Sequence, residues 1–391
     1  MKICGLIAEY NPFHLGHLKQ IEYIKNTLHA QKIIVIMSGN FTQRGEVAVL
    51  DKFTRAKHAV LAGADMVIEL PTVFAVSNAE IFARGAVNIL HSLGVVDGIC
   101  FGIESGEKQE YIELAKAMLN ESKQFKKALK ERLDNGISLA KAKFEAVKSL
   151  GGTFNEQLIS SPNNILALEY TKAILRLKSN IEVFPMLREG DHSHNDLTLH
   201  KGITSATSIR EVIKTGKFSP LKKCMPRFVF DDLKEYPFTF DTLILSSLIT
   251  ADTQKLASIL DCTEGLENRI KALLKDNHSL QTLVEKISTK RYTKTRIQRI
   301  LLANLLSINL PLIKDCLESS LYAKVLAVNS QSKDLITEVC KNSSIPILTR
   351  KSDANALKKT ALNCFEKDVL ATDLYSLITG EKSNEHHMLI V

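Results

Sequence analysis

Long apolar runs are missing from this chain of 391 residues. No stretch of about 18 apolar residues occurs, so no membrane-spanning helix is expected. The opening MKICGLIAEYNPFH is briefly apolar but passes straight into a polar turn without a small-residue cleavage site, so a signal peptide is not expected either. No CxxC occurs. The seven cysteines (Cys4, Cys100, Cys224, Cys262, Cys316, Cys340 and Cys364) are odd in number and widely spaced. That argues against a disulfide framework or a zinc site and for plain buried thiols in a reducing cytoplasm. Internal repeats and low-complexity linkers are absent. So are the Walker GxxxxGK[ST] and the GxGxxG, which excludes phosphate binding of those two kinds.

What is present is an ordinary globular composition, 45% hydrophobic and 24% charged. The length allows two or three domains and a sizeable core. A formal net charge of +8 favours a polyanionic partner.

The first hundred residues alternate strand and helix. Short apolar runs at 2–8, 32–37, 64–70 and 97–103 are separated by helical segments at about 14–28, 51–62 and 77–92. Such runs predict a parallel sheet with helices on both faces, an α/β fold. Residues 107–178 read as a helical insertion, ending in a helix at 161–177 with Ser161 as cap and Pro162 in the first turn. A fifth strand is expected at 181–188. The boundaries predicted are a catalytic domain over 1–220, a basic, mainly helical region over 221–320, and a small α/β unit over 321–391.

The segment EYNPFHLGH lies where the first strand should give way to a helix, the natural ligand position of an open parallel sheet. A helix N-terminus there offers free N–H groups and the positive end of a dipole. His14 and His17, three apart, should project to one side, and Gly16 lets backbone approach a ligand. The pair suits the α-phosphate of a nucleotide, where charge builds during in-line displacement. A metal reading needs a third ligand, which Asp191, His192 and His194 could offer. An Asp-His-Ser-His loop is ordinarily solvated, however, and no metal ligand is assigned.

HxGH resembles the signature of the nucleotidyltransferase superfamily that includes class I aminoacyl-tRNA synthetases. TSATSIR at 204–210 resembles its second signature, ISSTxIR, with Thr204 and Ala206 as departures that keep both hydroxyls. Ser205 and Thr207 would face the β- and γ-phosphates, with Arg210 adding charge. More narrowly, IAEYNPFHLGH, SGNFTQRGEVAVLDKFTRAKHAVLAGADMVIELP, FGIES, SPNNILALEY, LREGDHSHND and SATSIR together resemble the bacterial tRNA(Met) cytidine acetate ligases. That resemblance implies a Rossmann-like domain in which ATP and acetate form acetyl-adenylate. The acetyl group then passes to N4 of the wobble cytidine of elongator tRNA(Met). It implies an ATP site along Ile7, Ala8, Glu9, Tyr10, Asn11, Pro12, Phe13, His14, Leu15, Gly16, His17, Leu18, Lys19 and Gln20. Gly102, Asn163 and Arg188 would complete the site. Magnesium is expected with the ATP phosphates, and neither coenzyme A nor a catalytic cysteine is needed, because a carboxylate is already a nucleophile.

Residues 286–299, KISTKRYTKTRIQR, carry Lys286, Lys290, Arg291, Lys294, Arg296 and Arg299 with no acid among them. Tyr292 lies inside the run. An unmixed run favours phosphate contact, and an aromatic within it favours stacking on a base, so these residues are expected to bind tRNA. The loop residues Gln43, Arg44, Asp51 and Lys52 are expected to shape the acetate or cytidine pocket. Two other readings remain: a small-molecule nucleotidyltransferase with no RNA step, and a non-catalytic RNA-binding protein.

Overall fold

The computed structural model describes residues 1–119, 122–135, 139–151, 154–188, 205–234, 240–289, 291–380, 385 and 387–391. The first five strands along the chain are mutually parallel: β1 (Ile3–Ala8), β2 (Lys32–Ser38), β3 (Met66–Leu70), β4 (Gly98–Ile103) and β5 (Glu182–Leu187). Their order in space is β5-β4-β1-β2-β3. The chain thus builds outward from β1 in one direction, then restarts on its other side with β4. The crevice beyond the carboxyl ends of β1 and β4 is the switch point at which open α/β sheets place ligands.

Side chains in the central strands divide by period two. Ile34 and Ile36 enter one core cluster; Cys4, Leu6, Ile33, Val35 and Met37 enter the other, on the opposite face. Helices Leu15–Asn26 and Lys52–Leu61 cover the second face, while Ala79–Ser92 and Pro162–Arg176 cover the first. Between β4 and β5 stand the expected insertion helices Lys108–Leu119, Lys123–Asp134 and Leu139–Ser149.

The terminal segment differs from its expectation as a unit of its own. β6 (Ala323–Val328) pairs antiparallel with β3, and both β7 (Ile347–Leu348) and β8 (Leu389–Ile390) pair with β6, extending the same sheet. The reason lies in the edge of β3. Met66–Leu70 is entirely buried, and an apolar edge of that kind must be covered. Buried charges secure the join. Lys52 pairs with Glu69 at 2.8 Å and with Glu385 at 2.7 Å, and Lys324 sits 3.1 Å from Glu69 and also pairs with Glu385. The helical region likewise shares a core with the sheet: Ile244, Ile270, Leu283 and Leu301 belong to the cluster that contains Ile34 and Ile36.

Candidate active site at the switch point

The chain leaves β1 through Tyr10 at φ 49, a left-handed turn that is rare for an aromatic residue, and a cis Asn11–Pro12 bond. His14 then caps helix Leu15–Asn26 in an unusual way. The Gly16 N–H donates to Nδ1 of His14 at 3.0 Å, and the His14 N–H donates to Nδ1 of His17 at 3.2 Å. Two imidazoles thus perform the reciprocal capping that Ser and Glu perform elsewhere. Their rings stack 3.7 Å apart at 24°. Since both Nδ1 atoms accept, both rings carry their proton on Nε2. Those N–H groups are the polar edges the pair offers to the cavity that both rings line. Burial, then the charges of Arg188 and Arg210, pushes His14 down to about 3; burial and the neighbouring His14 push His17 well down too. The pair is therefore neutral and donating. Gly16 has a reason beyond ligand approach: a Cβ there would lie 2.9 Å from Cε1 of His14.

That cavity, of about 220 Å³, collects most of the expected residues: Ile7, Ala8, Glu9, Tyr10, Asn11, His14, Gly16, His17, Gln20, Gly102, Asn163, Arg188, Ser205, Thr207 and Arg210. Five of the expected positions do not line it. Phe13 is core, Pro12 is buried, Leu18 is half-buried against the second cluster, Leu15 is half-buried, and Lys19 is exposed. Helix periodicity explains Leu15, Leu18 and Lys19, because only one face of the first turns can meet a ligand, while Pro12 and Phe13 precede the helix and are buried. Gly102 makes room for a side chain: a Cβ there would stand 3.2 Å from the stem of Arg188. Asn163 Nδ2 donates to Glu104 at 2.9 Å. Ser205 Oγ accepts the Ser208 N–H at 3.1 Å and so caps helix Ala206–Lys214, whose N-terminus faces the cavity. Arg210 donates to the Asn11 carbonyl at 3.0 Å and pairs with Glu46 at 3.2 Å. Burial raises the Glu9 carboxyl, against the Gln43 N–H that donates to it at 2.6 Å and the nearby Arg210 and Arg44.

Of the loop after β2, Gln43 and Arg44 reach the cavity. Asp51 and Lys52 do not. Asp51 accepts the N–H groups of Phe53 and Thr54 as a helix cap, and Lys52 lies in the buried ion network. Sequence reasoning passed over an apolar wall formed by Phe82, Phe101, Leu166, Tyr170 and Met186. Nothing local distinguishes these from ordinary core residues; only the strand order brings them to the crevice. It also passed over Arg55. This fully buried guanidinium donates to the carbonyls of Leu50 at 2.9 Å and Ser38 at 3.1 Å, and to those of Glu9 and Gly39. It ties together the carboxyl ends of β1 and β2.

The basic run is mixed in space though not in sequence. Arg291 pairs with Glu264, to which Tyr292 Oη also donates; Lys294 is 3.5 Å from Glu285; Arg296 donates to the Asp261 carbonyl at 3.0 Å. Arg299 turns inward and donates to the Gln43 carbonyl at 3.2 Å. Lys286 is exposed. Lys290, Thr204, Asp191, His192 and His194 fall outside the described residues. Six of the seven cysteines are buried and none is in a disulfide, with Cys4 pushed up to about 12 by burial.

A parallel sheet with paired histidines capping the first helix and a second helix N-terminus opposite them defines a nucleotidyl transferase of the HIGH type. The model of the HIGH Nucleotidyl Transferase family matches residues 1–388. Within that class the chain belongs to the tRNA(Met) cytidine acetate ligase family. It is 39% identical over 395 residues to the tRNA(Met) cytidine acetate ligase of Acetivibrio thermocellus, covering 96% of this chain and 94% of the relative. It is 38% identical over 404 residues to that of Clostridium perfringens, covering 100% and 98%. The crystal structure of Thermotoga maritima TmcAL in its apo form superposes with a TM-score of 0.93 at 29% identity, and the form bound with alpha-thio ATP with 0.91 at 28%. Each covers 100% of both chains.

Proposed function

We propose that the protein is an ATP-dependent ligase. It activates acetate as acetyl-adenylate and transfers the acetyl group to N4 of the wobble cytidine of elongator tRNA(Met). The observation that carries this reading is the pair of backbone-pinned, neutral imidazoles that line one cavity with their Nδ1 atoms already engaged, so that Nε2–H is the donor each has to offer. An acetate oxygen attacks the α-phosphorus and pyrophosphate leaves. His14 and His17 donate to the α-phosphate oxygens as charge builds there, and the N-terminus of helix Ala206–Lys214 with Thr207 and Arg210 holds the outer phosphates. The apolar wall at Phe101 and Tyr170 takes the nucleotide base. Magnesium accompanies the phosphates and is held mainly by them. The names of the curated relatives support acetate and tRNA(Met) as the substrates.

Labelled acetate, ATP and unmodified elongator tRNA(Met) transcript provide the test. Label on the anticodon cytidine with the wild type, and none with His14→Ala, is the expected result. Acetate-dependent pyrophosphate release without labelled RNA would reduce the activity to adenylation. No turnover of either kind would overturn the reading.

A further inference from the structure

A second cavity of about 670 Å³ adjoins the first and shares one residue with it, Arg210. The guanidinium is the partition. Its Nη1 donates to the Asn11 carbonyl on the nucleotide side, and its Nη2 pairs with Glu46, which lines only the second cavity. Two groups bound on either side are one side chain apart. The second cavity has apolar walls from Phe240, Ile244, Val284 and Leu301. Its cations are matched by acids: Lys214 pairs with Glu211, Lys294 with Glu285, and Arg210 with Glu46. Apart from Arg210, which also faces the first cavity, such a lining has no surplus cation for a phosphate. It suits a flat, uncharged, hydrogen-bonding group such as a nucleobase, and a carboxylate is the natural acceptor for the exocyclic amine of cytosine. The basic run leads to the same place: Lys294, in its last helix, lines the cavity, and Gly45 is packed so closely on that helix that a Cβ would meet the Arg299 nitrogen at 2.6 Å.

We propose that this second cavity takes the acceptor cytosine, splayed out of the RNA, and, once pyrophosphate has left the Thr207–Arg210 end of the first cavity, presents its amine past Arg210 to the activated acetyl group. The inference rests on the acetyl-transfer reading above. The amine nitrogen bonds to the acetyl carbonyl carbon, and the bond from that carbon to the phosphate oxygen breaks. AMP leaves with the electron pair, and the amine proton passes to the Glu46 carboxylate and on to water.

Gln281→Trp and Lys214→Trp test it. Both side chains are exposed and line the cavity from different helices, so neither change disturbs the core. Each variant is assayed for acetate-dependent ATP–pyrophosphate exchange without RNA and for acetyl transfer to the tRNA transcript. The expected result is a loss of about a hundredfold in kcat/KM for RNA, with exchange retained. Transfer that survives both plugs overturns the cavity alone. Exchange that falls in step with transfer also overturns it, since the rim would then serve the nucleotide pocket. Failure of the wild type to acetylate RNA overturns the function reading, and this inference with it.

Discussion

His14 and His17 are held by their own backbone before any ligand arrives, so their hydrogen bonds to phosphate cost little reorganisation at the moment of reaction. Nitrogen NMR near neutral pH should find both rings as the Nε2–H tautomer; an Nδ1–H form of either would contradict the capping geometry. His17→Ala should slow pyrophosphate exchange by about 10²–10³-fold, while the fold survives by circular dichroism. The burial that keeps His14 neutral also links it to stability. Its value falls from an ordinary 6.5 to about 3 in the folded protein, so the unfolded chain binds more protons between those limits. Stability from this group is complete above the ordinary value and is lost as the pH falls toward the lower one, which urea midpoints across that window would register. Arg55 acts through others. It binds three carbonyls at the strand ends and that of Leu50 before the second helix, and it does not line the cavity. Arg55→Ala should destabilise by about 3 kcal/mol or more, as buried carbonyls lose their donors, and urea unfolding would measure the loss.

At the scale of elements, the loop after β2 links the nucleotide cavity to the helical region. Its contact with helix Lys294–Leu305 explains two glycines with opposite consequences. Gly45 sits at φ 73, and backbone of that helix lies 2.6 Å from where a methyl carbon would stand, whereas Gly216 sits at φ 70 with nothing within 4 Å. Gly216→Ala should cost about 1 kcal/mol from the left-handed backbone alone. Gly45→Ala must also move the loop, and it should lower pyrophosphate exchange as well as thermal stability. Paired melts and exchange assays of the two variants would separate conformational cost from displacement. The basic run belongs to this scale too. Its charge is unmixed along the chain, but acids from residues 261–264 and 285 fold onto it. Charge along a segment therefore overstated the free cation at its surface.

Across the whole molecule, one sheet joins the N-terminal and C-terminal parts, and a buried ion network fastens them. Burial works against the Glu385 carboxylate, but Lys52 and Lys324 outweigh it and bring it down to about 2. That stability is present above the ordinary carboxylate range and is lost as the pH falls toward the folded value. Glu385→Ala would leave two ammonium groups buried with Glu69 as their close carboxylate partner, and should cost about 3–5 kcal/mol. A melt unchanged by that substitution would show that the terminal segment is held by its strand pairing instead.

Much of this protein is legible along the chain because its signals are local. Alternating apolar runs determine the strands, since a strand's faces are set by period two and a helix's by 3.6. HxGH lies within one helical turn and the described part of TSATSIR, Ser205–Arg210, within two, so spacing alone puts their side chains together. The joining of the terminal strands to β3, the apolar wall at Phe101 and Tyr170, the Arg55 clamp and the Arg210–Glu46 partition were decided only by tertiary structure. Each depends on residues far apart in sequence, and their meeting is set by strand order and packing, which no local pattern encodes.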